Sequence, residues 1–233
     1  MVPPTGKFAN IKKCYYTNMS QEKDYVYILS PVRKVTNEQS TAIEDHVSRL
    51  KKTGVVIFNP KLDAPQADAT GYNIVMTELN FLHEASKHNG RIDIFWNLGG
   101  SPSEGSRVDM GMGYALGLRY NLVDVFNKDQ PTGPQLIYKT FLDKNINHDK
   151  AKLGQDMFQR DMVAMIKARR AVIDWDTEMI DETQEWQRFY LGMALGLQAK
   201  IPDFRIKMGI LKGDDVKEKS YPKVIGEIEK RQI

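Results

Sequence analysis

Residues 93–119, DIFWNLGGSPSEGSRVDMGMGYALGLR, limit the folds open to this chain more than any other stretch. Ile94, Phe95 and Trp96 form a short apolar run that reads as a buried strand, and a Gly/Ser/Pro loop follows it. Ser103 to Ser106 then lead into a helix that carries Asp109 in its first turn. A buried strand feeding a helix through a glycine-rich loop is the unit of an open α/β sheet, whose ligands bind beyond the carboxyl ends of the strands. The crevice at this loop is therefore the candidate site.

The flanking sequence repeats the unit. DYVYILSPVR from Asp24 has strand content and breaks at Ser30-Pro31. Thr36 to Lys52 has helical spacing, with Ile43, Val47 and Leu50 on one face. Val55 to Pro60 is a short buried strand, Lys61 to Gly71 a polar loop, and Tyr72 to Lys87 a helix closed by Asn89-Gly90. Strands follow at Arg91 to Asn97 and Tyr120 to Asn127. This order predicts an α/β protein with a doubly wound parallel sheet, Rossmann-like or flavodoxin-like.

Beyond a turn-rich linker, a strand (Gln135 to Thr140), a helix (Asp149 to Ala168), a strand (Ala171 to Trp175) and a helix (Thr183 to Ala199) are expected. The expected domains are an N-terminal arm, 1–23, an α/β domain, 24–127, and a second α/β half, 135–233, packed on the first. A shift of 79 residues pairs Ile94 with Ile173, Trp96 with Trp175 and Gly113 with Gly192, giving seven identities over 27 pairs. A degenerate repeat and the chance matching of apolar helices both account for this. The echo lapses at Asp109, which falls opposite Arg188.

A hydrophobic content of 41% with 9% aromatics is enough for a core in 233 residues. A net charge of +3, with its lysines and arginines dispersed, argues against a nucleic-acid polymer as partner. No apolar run is long enough to span a bilayer, the first residues lack a signal-peptide core, and there is a single cysteine, Cys14. A cytoplasmic protein without membrane contact is expected.

At the candidate site Gly99, Gly100 and Gly105, with Ser101, Ser103 and Ser106, offer free backbone N–H groups and hydroxyls beside the Asp109 carboxylate. That pairing suits an anion cradle next to a nucleophile. Gly111, Gly113 and Gly117 are expected to permit close helix packing. GMGYALG has the wrong spacing and position for a dinucleotide fingerprint, and no G-x-S-x-G elbow occurs. His83 and His88 lie five apart, about 140° around a helix, and so do not form an i, i+4 metal pair. Neither a metal nor a cofactor is expected.

These residues resemble the nucleoside 2-deoxyribosyltransferase superfamily, which includes the 2'-deoxynucleoside 5'-monophosphate N-hydrolases, over roughly Asp24 to Tyr120. YILSPVR resembles the family's first-strand motif Y-x-x-G-S-I-R, placing Tyr27 near the nucleophile and Ser30 and Arg33 among the substrate-binding groups. ELNFL resembles D-L-x-x-L, which implies that Glu78 faces sugar or base. Gly105, Asp109 and Gly111 match G-x-x-x-E-x-G, with Asp109 at the nucleophile position. Six residues before it the transferases carry an aspartate and the monophosphate hydrolases a phosphate-binding serine; here it is Ser103, preceded by Pro102.

The chain departs from the pattern in having aspartate for glutamate, which sets the carboxylate back by on the order of 1.5 Å. A competing register, aligning MGMGYAL with M-E-L-G-Y-A-L, would instead put Gly111 at the nucleophile position. RDMVAMIKA carries a trace of the acid motif at Asp161.

The resemblance implies a homo-oligomeric enzyme, since such sites are built across subunit contacts, and a degenerate second half could take the neighbour's part within one chain. The expected activity is cleavage of the N-glycosidic bond of a (deoxy)nucleoside or its 5'-monophosphate through a covalent glycosyl-enzyme intermediate. Asp109, Tyr27 and Glu78 would be catalytic, and Ser30, Arg33, Ser103, Gly105 and Ser106 would bind substrate. The alternatives are a catalytically silent nucleotide-binding module and an N-glycosidase acting on a dinucleotide cofactor.

Overall fold

The computed structural model describes residues 23–32, 35–68, 71–97, 104–126, 149–174 and 182–209. The elements are β1 (Asp24–Leu29), α1 (Asn37–Lys51), β2 (Val56–Phe58), α2 (Pro60–Asp63), α3 (Tyr72–Ser86), β3 (Asn89–Asn97), α4 (Glu104–Leu116) and β4 (Arg119–Phe126). They are followed by α5 (Asp149–Ala168), β5 (Arg170–Asp174), α6 (Glu182–Lys200) and β6 (Arg205–Gly209). The strand expected over 135–140 and the N-terminal arm lie outside the described residues.

Four strands form a parallel sheet in the order β2-β1-β3-β4, and β5 pairs with β6 in a separate parallel ribbon. Helices cover both faces of the larger sheet. Ile43 and Val47 of α1 cluster with Val26, Ile28, Phe95 and Phe126. On the other face, side chains of α3 and α4 cluster with Tyr27, Leu29, Phe58, Ile92, Ile94 and Trp96. The chain moves from β1 outward to β2 and returns past β1 to β3, so the connections diverge at the carboxyl ends of β1 and β3. This is a mixed α/β architecture with a ligand crevice expected at that switch point.

Local chemistry places the boundaries. Thr36 caps α1 in a capping box, its hydroxyl accepting from Gln39 N while the Gln39 side chain accepts from Thr36 N. Across the sheet from the α3–α4 face, Asp93 is fully buried and accepts from His46 at 2.8 Å, Arg91 at 2.8 Å and Asn121 at 3.0 Å. Burial opposes its charge, but the bonds from Arg91, Asn121 and His46 outweigh that and hold it below the usual carboxylate range. The network ties α1 to β3 and β4.

Several expectations are corrected. Asn89 and Gly90 do not close α3; they start β3, in register with Asp24 and Tyr25. Gly90 is needed for a close approach, since a Cβ there would lie 2.3 Å from the Ala85 carbonyl oxygen. The loop after β2 begins as the single turn α2, because Asn59 accepts from Lys61 N and Pro60 suits the first helical position. β6 was not foreseen. His88 lies beyond α3 and stacks on Tyr25 with ring centroids 4.8 Å apart.

Gly117 does not serve packing, as nothing lies within 4 Å of a Cβ built on it. It adopts φ +78° and ends α4, with Gly117 N donating to Tyr114 O and Leu118 N to Gly113 O. These are the two bonds of a Schellman cap. Gly117→Ala is expected to cost about 1–2 kcal/mol from the left-handed conformation, seen as a fall of roughly 2–8 °C in melting temperature by calorimetry.

Candidate active site

Three of the residues singled out from the sequence, Tyr27, Glu78 and Asp109, converge on the α3–α4 face of β1. Tyr27 is in the middle of β1, paired with Phe58 on one side and Ile92 on the other. Strand alternation turns its ring to the same face as Leu29, where it stacks on Phe58 with centroids 5.5 Å apart. Its hydroxyl donates to Asp109 Oδ2 at 2.9 Å. Glu78, from the middle of α3, lies within hydrogen-bonding reach of both. Phe81, one turn further along α3, packs at 5.0 Å from Phe58 and 6.3 Å from Tyr27.

Asp109 is the sixth residue of α4, in its second turn, because the helix starts at Glu104. The expected first-turn placement is thus corrected. The helix macrodipole fades beyond the first turn, so local burial governs this carboxylate. Tyr27 is 0% exposed, and Glu78 and Asp109 are each 5% exposed. With both acids ionised, Asp109 Oδ1 has no donor. A proton on the neighbouring Glu78 would be available to it.

The energetics run the same way. Burial, followed by the charge of Asp109, pushes Glu78 up to about 10. Burial raises Asp109 to about 7, against the opposing hydrogen bonds of Tyr27 and Glu78. Burial and the two neighbouring acids keep the Tyr27 phenol protonated well above its ordinary range. Near neutral pH the cluster holds a neutral Glu78, a donor Tyr27 and an Asp109 on the edge of ionisation. The two acids titrate as a pair.

Of the remaining residues, Ser30 is buried one position beyond β1, at the carboxyl end of the sheet. Gly105 and the buried Ser106 lie in the first turn of α4, which follows the carboxyl end of the adjacent β3. Ser30, Gly105 and Ser106 therefore share one end of the sheet. Arg33 and Ser103 lie outside the described residues. Gly111 faces away from the cluster, with a Cβ there lying 2.1 Å from Phe189 O on α6. Asp109, rather than Gly111, is thus the α4 residue directed at Tyr27.

Phe58 and Phe81, which wall the cluster, were not singled out from sequence. Phe81 could have been found, since it is three residues from Glu78 and shares its helix face. Buried Arg107, two positions before Asp109, has no such signal, because a charged residue at a helix start reads as solvated. Asp161, the second acid suggested by sequence, accepts from Tyr190 at 2.5 Å, where α5 meets α6. Among the described residues no group of side chains is arranged to hold a metal ion, and no helix is long and apolar enough to cross a membrane.

Raised folded-state pKa values give the sign of a stability effect. The protonated pair contributes stability that is fully present below about pH 4 and lost as pH rises through about 7 for Asp109 and about 10 for Glu78. Glu78→Gln and Asp109→Asn cannot ionise and escape that loss. Both are expected to melt above the parent protein at pH 9 and to converge with it near pH 4, as measured by thermal denaturation across that range. Comparison of the chain with family models, with curated proteins and with solved structures finds no match.

Proposed function

We propose that this chain cleaves the N-glycosidic bond of a nucleoside or nucleoside 5'-monophosphate, with Asp109 as nucleophile. The observation that supports the reading is the buried contact of Tyr27, Glu78 and Asp109 on the sheet face beside the β1–β3 switch point. In the first step an Asp109 oxygen forms a bond to the anomeric carbon as the carbon–nitrogen bond breaks, and the electron pair leaves with the base. Glu78, expected to face sugar or base, would give its proton to that base. Water or a second base, giving its proton back to the now ionised Glu78, would then attack the same carbon and release the Asp109 carboxylate.

Tyr27 orients Asp109 through its hydroxyl and steadies the ionised form. In this reading Ser30, Gly105 and Ser106, which share one end of the sheet, would bind the phosphate; Arg33 and Ser103, expected to bind it with them, lie outside the described residues. The second half is read in the same proposal as a degenerate repeat that takes a neighbouring subunit's place. Under a shift of 79 residues, 91–95 of β3 fall on β5, 104–116 of α4 fall within α6, and 72–86 of α3 fall within α5.

The test is release of free base from a panel of deoxynucleosides and their 5'-monophosphates, followed by chromatography. Activity should follow a bell, rising as Asp109 ionises near pH 7 and falling as Glu78 loses its proton towards pH 10. Asp109→Asn should lower turnover by about 1,000-fold or more. Absence of base release from every substrate removes the enzyme reading.

The 5% exposure of both acids favours one other reading, a silent nucleotide-binding module. It is distinguished by nucleotide-dependent thermal stabilisation that survives Asp109→Asn, with no turnover.

A further inference from the structure

Helices α4 and α6 meet backbone to backbone. A Cβ on Gly192 would lie 1.9 Å from Val108 O, 2.7 Å from Val108 C and 2.9 Å from Val108 Cα. A Cβ on Gly111 would lie 2.1 Å from Phe189 O and 2.7 Å from Met193 N. Further along, a Cβ on Gly196 would lie 2.8 Å from Met112 O and 2.9 Å from Ala115 Cβ. Val108 meets residue 192 and Met112 meets residue 196, so the helices run side by side in the same direction.

Val108 immediately precedes Asp109, and Gly111 follows it by two positions. Two residues are about 200° around a helix, so the side of α4 carried by Gly111 is opposite the side that carries Asp109. The described contacts agree: Asp109 reaches Tyr27 of β1, while Gly111 is pressed on α6. Helix α4 is therefore held between α6 and the wall made by Tyr27, Glu78 and their aromatic neighbours. The backbone of α6 limits how far Asp109 can retreat from that wall.

We infer that α6 is the backstop that sets the position of Asp109, and that Gly192 and Gly111 are positioning residues for that carboxylate. The C-terminal half thereby acts on the N-terminal site through packing alone. A Cβ at residue 192 must displace the carbonyl next to Asp109, because it would meet the Val108 backbone, which cannot swing aside as a side chain can. Gly196 belongs to the same interface but touches α4 at Met112 and Ala115, three and six residues beyond Asp109. Substitution there loads the interface without acting on Val108.

The inference concerns the carboxylate and borrows from the proposed function only its activity readout, so the experiment has two arms. In the first, the side-chain carboxyl of Asp109 is followed by carbon NMR through a pH titration in the parent protein, Gly192→Ala and Gly196→Ala. Gly192→Ala is expected to displace the Asp109 midpoint by about half a pH unit or more, and Gly196→Ala to leave it in place. In the second arm, base release by Gly192→Ala is expected to fall about 100-fold, the scale of a 1 Å misplacement.

Equal displacement in the two variants, or displacement in neither, overturns the inference. If Gly192→Ala does not fold, hydrogen exchange in the parent protein decides. Amides of residues 108–112 and 191–195 opening together support the backstop, and protection of 108–112 while 191–195 open overturns it. A parent protein that releases no base, yet shows the selective NMR displacement, refutes the proposed function and leaves this inference standing.

Discussion

A buried carboxylate must find donors or give up its charge, and that constraint divides the two faces of the sheet. Asp93, on the α1 face, receives hydrogen bonds from His46, Arg91 and Asn121 and stays ionised as a structural tie. On the opposite face Asp109 accepts from Tyr27 beside Glu78, and burial drives both acids towards the protonated state. The same residue type thus fastens a helix on one side of the sheet and forms a proton-sharing pair on the other. A site held this way costs stability as it ionises, which sets it apart from an ordinary polar staple.

The strain of that pair is carried by packing. Tyr27 is locked between Phe58, Phe81 and the neighbouring strands, and Asp109 rides on a helix pressed against α6 with no side chain between the backbones. The hydrophobic core on this face runs without a break from Leu29 and Phe58 of the first half to Phe158, Ile173 and Ile206 of the second. The two halves are therefore coupled through one core, whatever their history.

The apolar runs and helical spacings made much of this fold legible. Strands β1 to β5 and helices α1, α3, α5 and α6 fall within a residue or two of where period and turn chemistry put them, and α4 follows the loop from which it was expected to start. β6 was missed because five residues, RIKMG, with two lysine or arginine side chains among them, give no apolar run to read. Asn89-Gly90 was misread because its helix-stopping composition is shared by a glycine needed only for clearance against Ala85. The meeting of Tyr27, Glu78 and Asp109 could be anticipated only from motif resemblance, since they are 51 and 31 residues apart along the chain. The depth of their burial and the Gly192–Val108 contact depend on tertiary packing, which local pattern does not encode.

The junction between α3 and β3 has one further consequence. Only Lys87 and His88 separate them, Gly90 lies against the Ala85 carbonyl, and His88 is stacked on Tyr25. So short a hinge fixes α3 to the central strands, and Glu78 and Tyr27 belong to one stiff frame. Any rearrangement of the cluster is then left to α4, which carries Asp109. The tolerance of the site is accordingly a property of one helix and its bearing surface on α6, like the travel of a bolt in its keeper.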